Sequence, residues 1–307
     1  MADPTRPLRR RALAATDAIA KLGLSRPIEA PHRAVRALLG RERDPDLSGK
    51  TVVVTGASSG IGEATAHRFA KAGAHVVIVA RRLEELERVA GAIAADGGSA
   101  TPITCDLSDS AAVAKLGEQI VAEHGPIAVV VNNAGHSIRR SVLDSFDRFH
   151  DFERTMAINY FGPVALSLAV LPSMVEAGSG RIVNVSTWGT RAPSPLFAAY
   201  TASKAAIDAF GRNANLDLTG TGVSVTSVHI PLVRTPMIAP AQAEYRGVPS
   251  LSADEAAGLV FRAAAGNSGR VEPAFVTAVA VADTVAGPAL EKAMSREGSA
   301  FAPKRER

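Results

Sequence analysis

A doubly wound α/β fold, with a parallel sheet flanked by helices, is the class that this 307-residue sequence predicts. Three observations carry the prediction. Short runs rich in Val and Ile recur along residues 48–266, and near-continuous apolar runs are what strands buried on both faces require. Longer stretches with helical spacing alternate with those runs, as strands and crossover helices do in a parallel sheet. A glycine-rich turn separates the first run from the first helical stretch.

In chain order, strands are expected at residues 51–55, 76–80, 127–132, 181–186 and 224–230. Helices are expected at 62–72, 83–95, 111–123, 152–177 and 199–218. This zone, 48–266, reads as a single domain between two extensions. In the first extension, 1–47, Leu8, Ala12, Ala15, Ile19 and Leu22 recur at spacings of four and three, which draws an apolar stripe along a helix. Arg9, Arg10, Arg11 and Lys21 surround it. A basic amphipathic helix suits an anionic membrane surface; a helix docked on its own protein, or a frayed terminal arm, carries the same stripe. The last extension, 267–307, holds a strand candidate at 271–276, an Ala/Val-rich stretch and a basic tail, and serves as a cover over a substrate pocket or as a loosely held appendage.

Composition narrows the function classes. With 47% apolar and 21% charged residues the chain can bury a sizeable core. The formal charge is +4, but residues 1–45 hold ten basic and five acidic side chains, so the remainder is nearly neutral. No nucleic-acid partner is expected for the fold as a whole. One cysteine, Cys105, excludes an internal disulfide and a cysteine-rich metal site. No metal is expected, and a reducing, cytoplasmic compartment fits, with peripheral membrane contact through residues 1–45 as the alternative. No uninterrupted apolar run reaches the ~18 residues of a membrane span. The nearest candidate, 274–290, is broken by Asp283, Gly287 and Pro288.

The glycine-rich turn reads Thr55-Gly56-Ala57-Ser58-Ser59-Gly60-Ile61-Gly62. Its glycines allow a tight turn, close approach of backbone to phosphate, and close helix–strand packing. The helix that it opens offers unpaired N–H groups to a pyrophosphate. The second strand ends Ala80-Arg81-Arg82. An acidic residue there would bond an adenosine ribose, whereas two arginines suit a 2′-phosphate, so NADP(H) is the expected cofactor. Arg82 serves equally as a solvated charge at a helix start.

Tyr200 and Lys204, four apart, share one helix face. A free tyrosine ionises near ~10, and an ammonium one turn away is expected to lower that value and make the phenol a useful proton donor near neutral pH. Hydride delivery to a carbonyl leaves an alkoxide that Tyr200 would protonate while a neighbouring hydroxyl holds the developing charge.

Five motifs in order, Thr55–Gly62, Asp106-Leu107, Asn132-Asn133-Ala134-Gly135, Asn159 and Tyr200-x-x-x-Lys204, resemble the short-chain dehydrogenase/reductase family across 48–266. The resemblance implies a Rossmann-type sheet. It implies that Asp106 and Leu107 lie at the adenine, and that Asn133, Ala134 and Gly135 lie beside the cofactor on the central strand. Lys204 would bind the nicotinamide ribose and Asn159 would support a water-linked proton path. The family usually has serine thirteen positions before the tyrosine, and here Thr187 stands there. Adjacent side chains of a strand point oppositely, so Thr187 takes the role, with Ser186 as the alternative if the strand end is bulged. The family's Pro-Gly after the sixth strand is replaced by Ile230-Pro231, while Thr235 is retained and Val233 precedes it at the cofactor side.

That run, with Ser137-Ile138-Arg139-Arg140-Ser141 and the segment from Asp147 to Met156, is similar to the bacterial long-chain fatty acyl-CoA reductase branch. The branch implies NADPH-dependent reduction of a long-chain acyl-CoA or fatty aldehyde. Cys105 abuts Asp106 at the adenine end, so hydride attack on the thioester is expected without a covalent cysteine intermediate. The alternatives are a carbonyl reductase or alcohol dehydrogenase acting on a lipid-like or xenobiotic ketone, and a nucleotide-binding regulatory protein. Arg139, Arg140 and Arg234 are candidates for CoA phosphates or for surface salt bridges, and Trp188 for an acyl pocket or a loop anchor. His136 and His150 read as structural. A homo-oligomer, dimer or tetramer, follows by resemblance.

Overall fold

The computed structural model describes residues 47–241, 245, 248–266 and 268–301. The N-terminal stripe and the basic tail lie outside them. Seven strands form one parallel sheet: β1 (Thr51–Thr55), β2 (His75–Ala80), β3 (Ser99–Thr104), β4 (Ile127–Asn132), β5 (Gly180–Thr187), β6 (Val223–Ile230) and β7 (Arg270–Val271). Their spatial order is β3-β2-β1-β4-β5-β6-β7. The order reverses between β1 and β4, and there the C-terminal strand ends open the crevice in which doubly wound folds bind ligands.

Pleating sends successive side chains to opposite faces. Val52 and Val54 enter one apolar cluster with Ile78, Phe69 and Phe261. This is the face covered by α1 (Gly60–Lys71), α2 (Leu83–Ala95) and α7 (Ala253–Ala265). Val53, Val77 and Val130 enter the other cluster, with Leu116, Leu166 and Met174. Those residues come from α3 (Ser110–His124) and α5 (Gly162–Glu176), and α6 (Ala198–Asp217) lies along β5 and β6. The β1 side chains are wholly buried on both faces, which explains why this run carries no alternating pattern.

Local chemistry sets the helix starts. Asp109 caps α3 by accepting from the Ala111 and Ala112 amides, each at 3.0 Å. Ser252 and Glu255 form a reciprocal capping box at α7, a helix not read from the sequence although both residues stand at the required spacing. β3 was also not anticipated: its sequence, SATPIT, is polar and contains a proline, which the sheet edge tolerates. The strand expected at 271–276 shrinks to two residues. Pro273 ends it, and α8 (Ala274–Phe301) follows, kinked at Ala286 just before Pro288.

The helix expected at 152–177 starts earlier and is not uniform. α4 (Phe149–Met156) passes through a π-turn, Ala157–Phe161, into α5. Among the described residues, two helical stretches are long and apolar enough to cross a membrane by length and composition alone: Phe149–Glu176, 39% buried, and Ala274–Lys292, 6% buried. The first packs into the core.

Candidate active site

A cleft of about 990 Å³ opens along the C-terminal ends of the strands. Its floor at one end is the turn after β1. Gly56 and Gly60 take φ of 66° and 59°, a conformation that a side chain would strain. A Cβ on Gly60 would stand 3.1 Å from the Thr235 methyl, so Thr235 packs directly on the turn. Thr55 secures the neighbouring strand end. Its hydroxyl donates to the Val131 carbonyl (3.1 Å) and accepts from the Asn133 and Ala134 amides (3.0 and 3.1 Å). The Asn133 side chain donates in turn through Nδ2 to the Thr55 carbonyl at 2.9 Å. Arg88 on α2 adds a brace that the sequence did not suggest. It holds Glu63 through two bonds of 2.7 and 3.0 Å and reaches the Ser58 carbonyl at 3.3 Å.

Of the residues expected at a cofactor, Gly56, Ser58, Ser59, Gly60, Ile61, Arg81, Arg82, Leu107, Asn133, Ala134, Gly135, Val233 and Thr235 line the cleft. Gly62 and Asp106 do not. Gly62 lies behind the turn, where helix α1 meets it. The Asp106 carboxyl bonds the Ser108 hydroxyl (2.7 Å) and amide (3.0 Å); these bonds, with Arg81 nearby, hold it below the usual carboxylate range. The end of β2 thus presents two exposed guanidinium groups and no carboxylate of its own. Backbone donors at a helix N-terminus, a glycine surface open to close approach and these two cations fit a phosphorylated dinucleotide.

Thr187, Tyr200 and Lys204 meet in the middle of the same cleft. The Thr187 hydroxyl accepts from the Gly189 amide at 3.3 Å and lies close enough to the Tyr200 phenol to favour its ionised form. Ser186 faces away: its hydroxyl donates to Asp208 at 3.0 Å, as strand alternation requires. Lys204 is buried and donates to the Val185 carbonyl at 2.7 Å. Burial brings its ammonium down to about 8, partly countered by the charge of Asp208. Tyr200 departs from expectation. Burial pushes its phenol up to about 12, against the nearby Thr187 hydroxyl, and Lys204 does not pull it down. Lys204 gives its ammonium to a carbonyl of β5, and the half-buried phenol bears the cost of partial desolvation.

Asn159 does not line the cleft and is fully buried in the π-turn. The irregular turn brings its amide to both sides of His136, accepting from its N–H (2.9 Å) and donating to its carbonyl (2.9 Å). Asn159 also donates to the Ser203 hydroxyl (2.9 Å), and so joins the exit of β4 to the helix carrying Lys204. Arg139 lines the cleft. Arg140 pairs with buried Asp151 at 3.1 Å, and Arg234 donates to Ser250. His150 lies beside Asp151 at 3.4 Å. Burial pushes the Cys105 thiol up, with Asp106 and Asp109 adding to the effect, and Cys105 is not among the cleft residues.

The other half of the cleft is apolar, lined by Leu196, Ile230, Leu232, Met237 and Val248. Met294 reaches it from α8, and Trp188, also in the wall, stacks obliquely on Phe275 with ring centroids 6.5 Å apart. The Ala/Val-rich last extension is therefore part of this wall.

Sheet order, glycine turn and cleft define a Rossmann-type dinucleotide-binding oxidoreductase fold. A family model described as short chain dehydrogenase matches residues 50–246, and the chain belongs to the short-chain dehydrogenase/reductase family. It is 51% identical over 215 residues to a protein of Acinetobacter baylyi named fatty acyl-CoA reductase, covering 70% of this chain and 72% of that one. It is 44% identical over 259 residues to a Mycobacterium tuberculosis protein of the same name, covering 84% and 88%. Among solved structures, it is similar to a 3-oxoacyl (acyl-carrier-protein) reductase from Agrobacterium tumefaciens with NADP bound. That likeness has 27% identity and a TM-score of 0.69 over 76% of this chain and 96% of that one. A metagenomic short-chain oxidoreductase in complex with NADP gives 33% identity and a TM-score of 0.65 over 74% and 98%.

Proposed function

We propose that the protein is an NADPH-dependent reductase of long-chain acyl-CoA thioesters or fatty aldehydes. The observation that carries the reading is the placement of Thr187, Tyr200 and Lys204 in one cleft, between a glycine turn flanked by two arginines and an apolar half. The names of the Acinetobacter and Mycobacterium relatives support the acyl-CoA substrate.

The backbone of Ser58–Gly60 would hold the pyrophosphate, Arg81 and Arg82 the 2′-phosphate, and Lys204 the nicotinamide ribose. The bound cofactor supplies a hydride to the substrate carbonyl carbon. As that carbon becomes tetrahedral, its oxygen gains negative charge, which the Thr187 hydroxyl stabilises. Tyr200 gives its proton to this oxygen. With its value raised, Tyr200 is fully protonated at neutral pH and so available as the acid. From a thioester the product of this step is a thiohemiacetal. Its hydroxyl returns the proton to Tyr200, the C–S bond breaks, and CoA leaves as a thiolate that takes a proton from water. The balance is one thioester, one NADPH and one proton giving aldehyde, CoA thiol and NADP+.

Exposed Phe161, Leu168 and Val175, seven apart along the π-turn and α5, support a homo-oligomer formed through that helix; light scattering after size exclusion tests it.

The deciding experiment is NADPH oxidation with a long-chain acyl-CoA while free thiol is titrated in the same cuvette. Thiol release in step with NADPH loss is expected. Oxidation of NADPH by an aldehyde or ketone, with no thiol released from acyl-CoA, would instead make this a carbonyl reductase.

A further inference from the structure

Beneath the Thr187–Tyr200 pair lies a buried polar cluster that none of these steps uses. Its members are Asp208 on α6, His229 near the end of β6, Glu272 between β7 and α8, and Arg191 just after β5. Asp208 Oδ2 is the hub. It accepts from Ser186 Oγ at 3.0 Å, Thr190 Oγ1 at 2.8 Å and His229 Nε2 at 3.0 Å. An ionised carboxylate only accepts, so His229 must carry a proton on Nε2. On its other side, His229 Nδ1 lies 3.4 Å from Glu272 Oε2, and Arg191 Nε lies 3.3 Å from the same oxygen. The second Glu272 oxygen accepts from Thr277 in the first turn of α8.

The placement of these bonds is specific. Ser186 and Thr190 flank Thr187 on the segment leaving β5, and both are tied to one carboxylate. That carboxylate stands on α6, four residues beyond Lys204 and eight beyond Tyr200, on the same helix face. Asp208 thus joins the element bearing the hydroxyl to the element bearing the phenol. Burial alone would push the Asp208 carboxyl up, but the bond and charge of His229, with the Thr190 and Ser227 hydroxyls, hold it down and ionised. Its negative charge resists ionisation of Tyr200 and favours the ammonium of Lys204. Stability does not account for the cluster, since apolar side chains of equal volume often serve a core as well as buried ion pairs.

We propose that Asp208 is a positioning residue: by holding Ser186 and Thr190 it fixes the segment that carries the Thr187 hydroxyl beside Tyr200, with His229, backed by Glu272, holding the Asp208 carboxylate in place. This rests on Tyr200 being the proton donor. The groups that bear on the pair are Lys204 from α6, His229 from β6, and Glu272 with Arg191 behind it.

The test uses full-length protein with [13Cζ]tyrosine, saturated with NADP+. Only Tyr160, Tyr200 and Tyr245 contribute signals, and Tyr200→Phe assigns the one of interest. Asp208→Asn keeps size and an acceptor oxygen but removes the charge. It should move the Tyr200 titration, and the alkaline limb of the kcat profile, to lower pH, and cut kcat roughly 10- to 100-fold through lost alignment. The KM for NADPH should not change. The double variant Ser186→Ala, Thr190→Val keeps the charge but frees the loop, and should lower kcat without moving the titration. If Asp208→Asn unfolds cooperatively like wild type yet leaves both titration and kcat unchanged, the proposal is overturned. If Asp208→Asn does not fold, an unchanged kcat in the double variant overturns it instead. A wild type that reduces no thioester, aldehyde or ketone would sink the reductase reading, while the tyrosine titration would still report on Asp208.

Discussion

Replacing Gly62 by Ala tests whether the phosphate-cradling turn depends on direct contact with helix α1. A Cβ at this position would stand 2.2 Å from the Gly56 carbonyl oxygen and 2.5 Å from the Asn133 side-chain amide nitrogen. Ordinary contact begins near 3.4 Å, so turn and helix must separate by about 1.2 Å. Overpacking of this kind costs about 1–3 kcal/mol. Displacing Asn133 from its bonds to Thr55 and Gly56 adds about 1 kcal/mol. The sum, about 2–4 kcal/mol, should lower Tm by roughly 4–16 °C in a domain of this size. Because the same movement reshapes the turn, NADPH should bind at least about tenfold more weakly, equivalent to about 1.4 kcal/mol. Gly91→Ala is the control. It lies exposed on α2 with nothing within 4 Å of the added carbon, and should gain about 0.5–1 kcal/mol from helix propensity. Thermal unfolding and NADPH fluorescence titration measure both. A Gly62→Ala protein that melts within a degree of wild type and binds NADPH equally would refute the contact argument.

Replacing Arg81 and Arg82 by Ala should raise the KM for NADPH roughly 10- to 150-fold per arginine, from about 1.5–3 kcal/mol each, with little change for NADH. Equal effects on both cofactors would remove the 2′-phosphate assignment. Tyr200→Phe should abolish turnover while leaving NADPH affinity intact; substantial residual turnover would take the acid role from Tyr200. For Lys204 the folded value, about 8, lies below the ordinary 10.5. Between these values the unfolded chain binds the extra proton, so stability should climb as pH rises from about 8 to about 10.5, and should lose that contribution as pH falls through 8. Tyr200, with a folded value raised from 10 to about 12, acts from about pH 10 upward: it offsets the top of the Lys204 rise, and stability should fall from there towards pH 12. Urea unfolding of wild type and Lys204→Met at pH 7 to 10 checks the sign: the rise should vanish in the variant. Flotation on anionic liposomes, with and without residues 1–45, tests peripheral membrane contact, and identical behaviour rejects a role for that segment.

The central β strands and the glycine turn were legible in the sequence because each is dictated locally. A strand buried on both faces must be apolar throughout, as residues 52–54 are, and a turn at φ near 60° favours glycine. The Tyr200–Lys204 spacing is likewise a helix property. By contrast, β3 and α7 carry weak local signals: one is a polar edge strand, and the other shows itself chiefly through the Ser252–Glu255 cap. Strand alternation favoured Thr187 over Ser186, but the neighbour of each hydroxyl, Tyr200 or Asp208, depends on which helix lies across the strand.

What the sequence determined by itself, then, was the backbone repertoire and the residues able to do chemistry, since periodicity and turn conformation act over a few neighbours. The tertiary structure alone decided the electrostatics. Lys204 donates to the Val185 carbonyl, Tyr200 is half-buried in the cleft wall, and Asp208 gathers hydroxyls from either side of Thr187 and the imidazole of His229. Desolvation and charge act through space, and the groups that matter are 21 to 64 residues apart along the chain, so only the folded arrangement brings Asp208, His229 and Glu272 into contact.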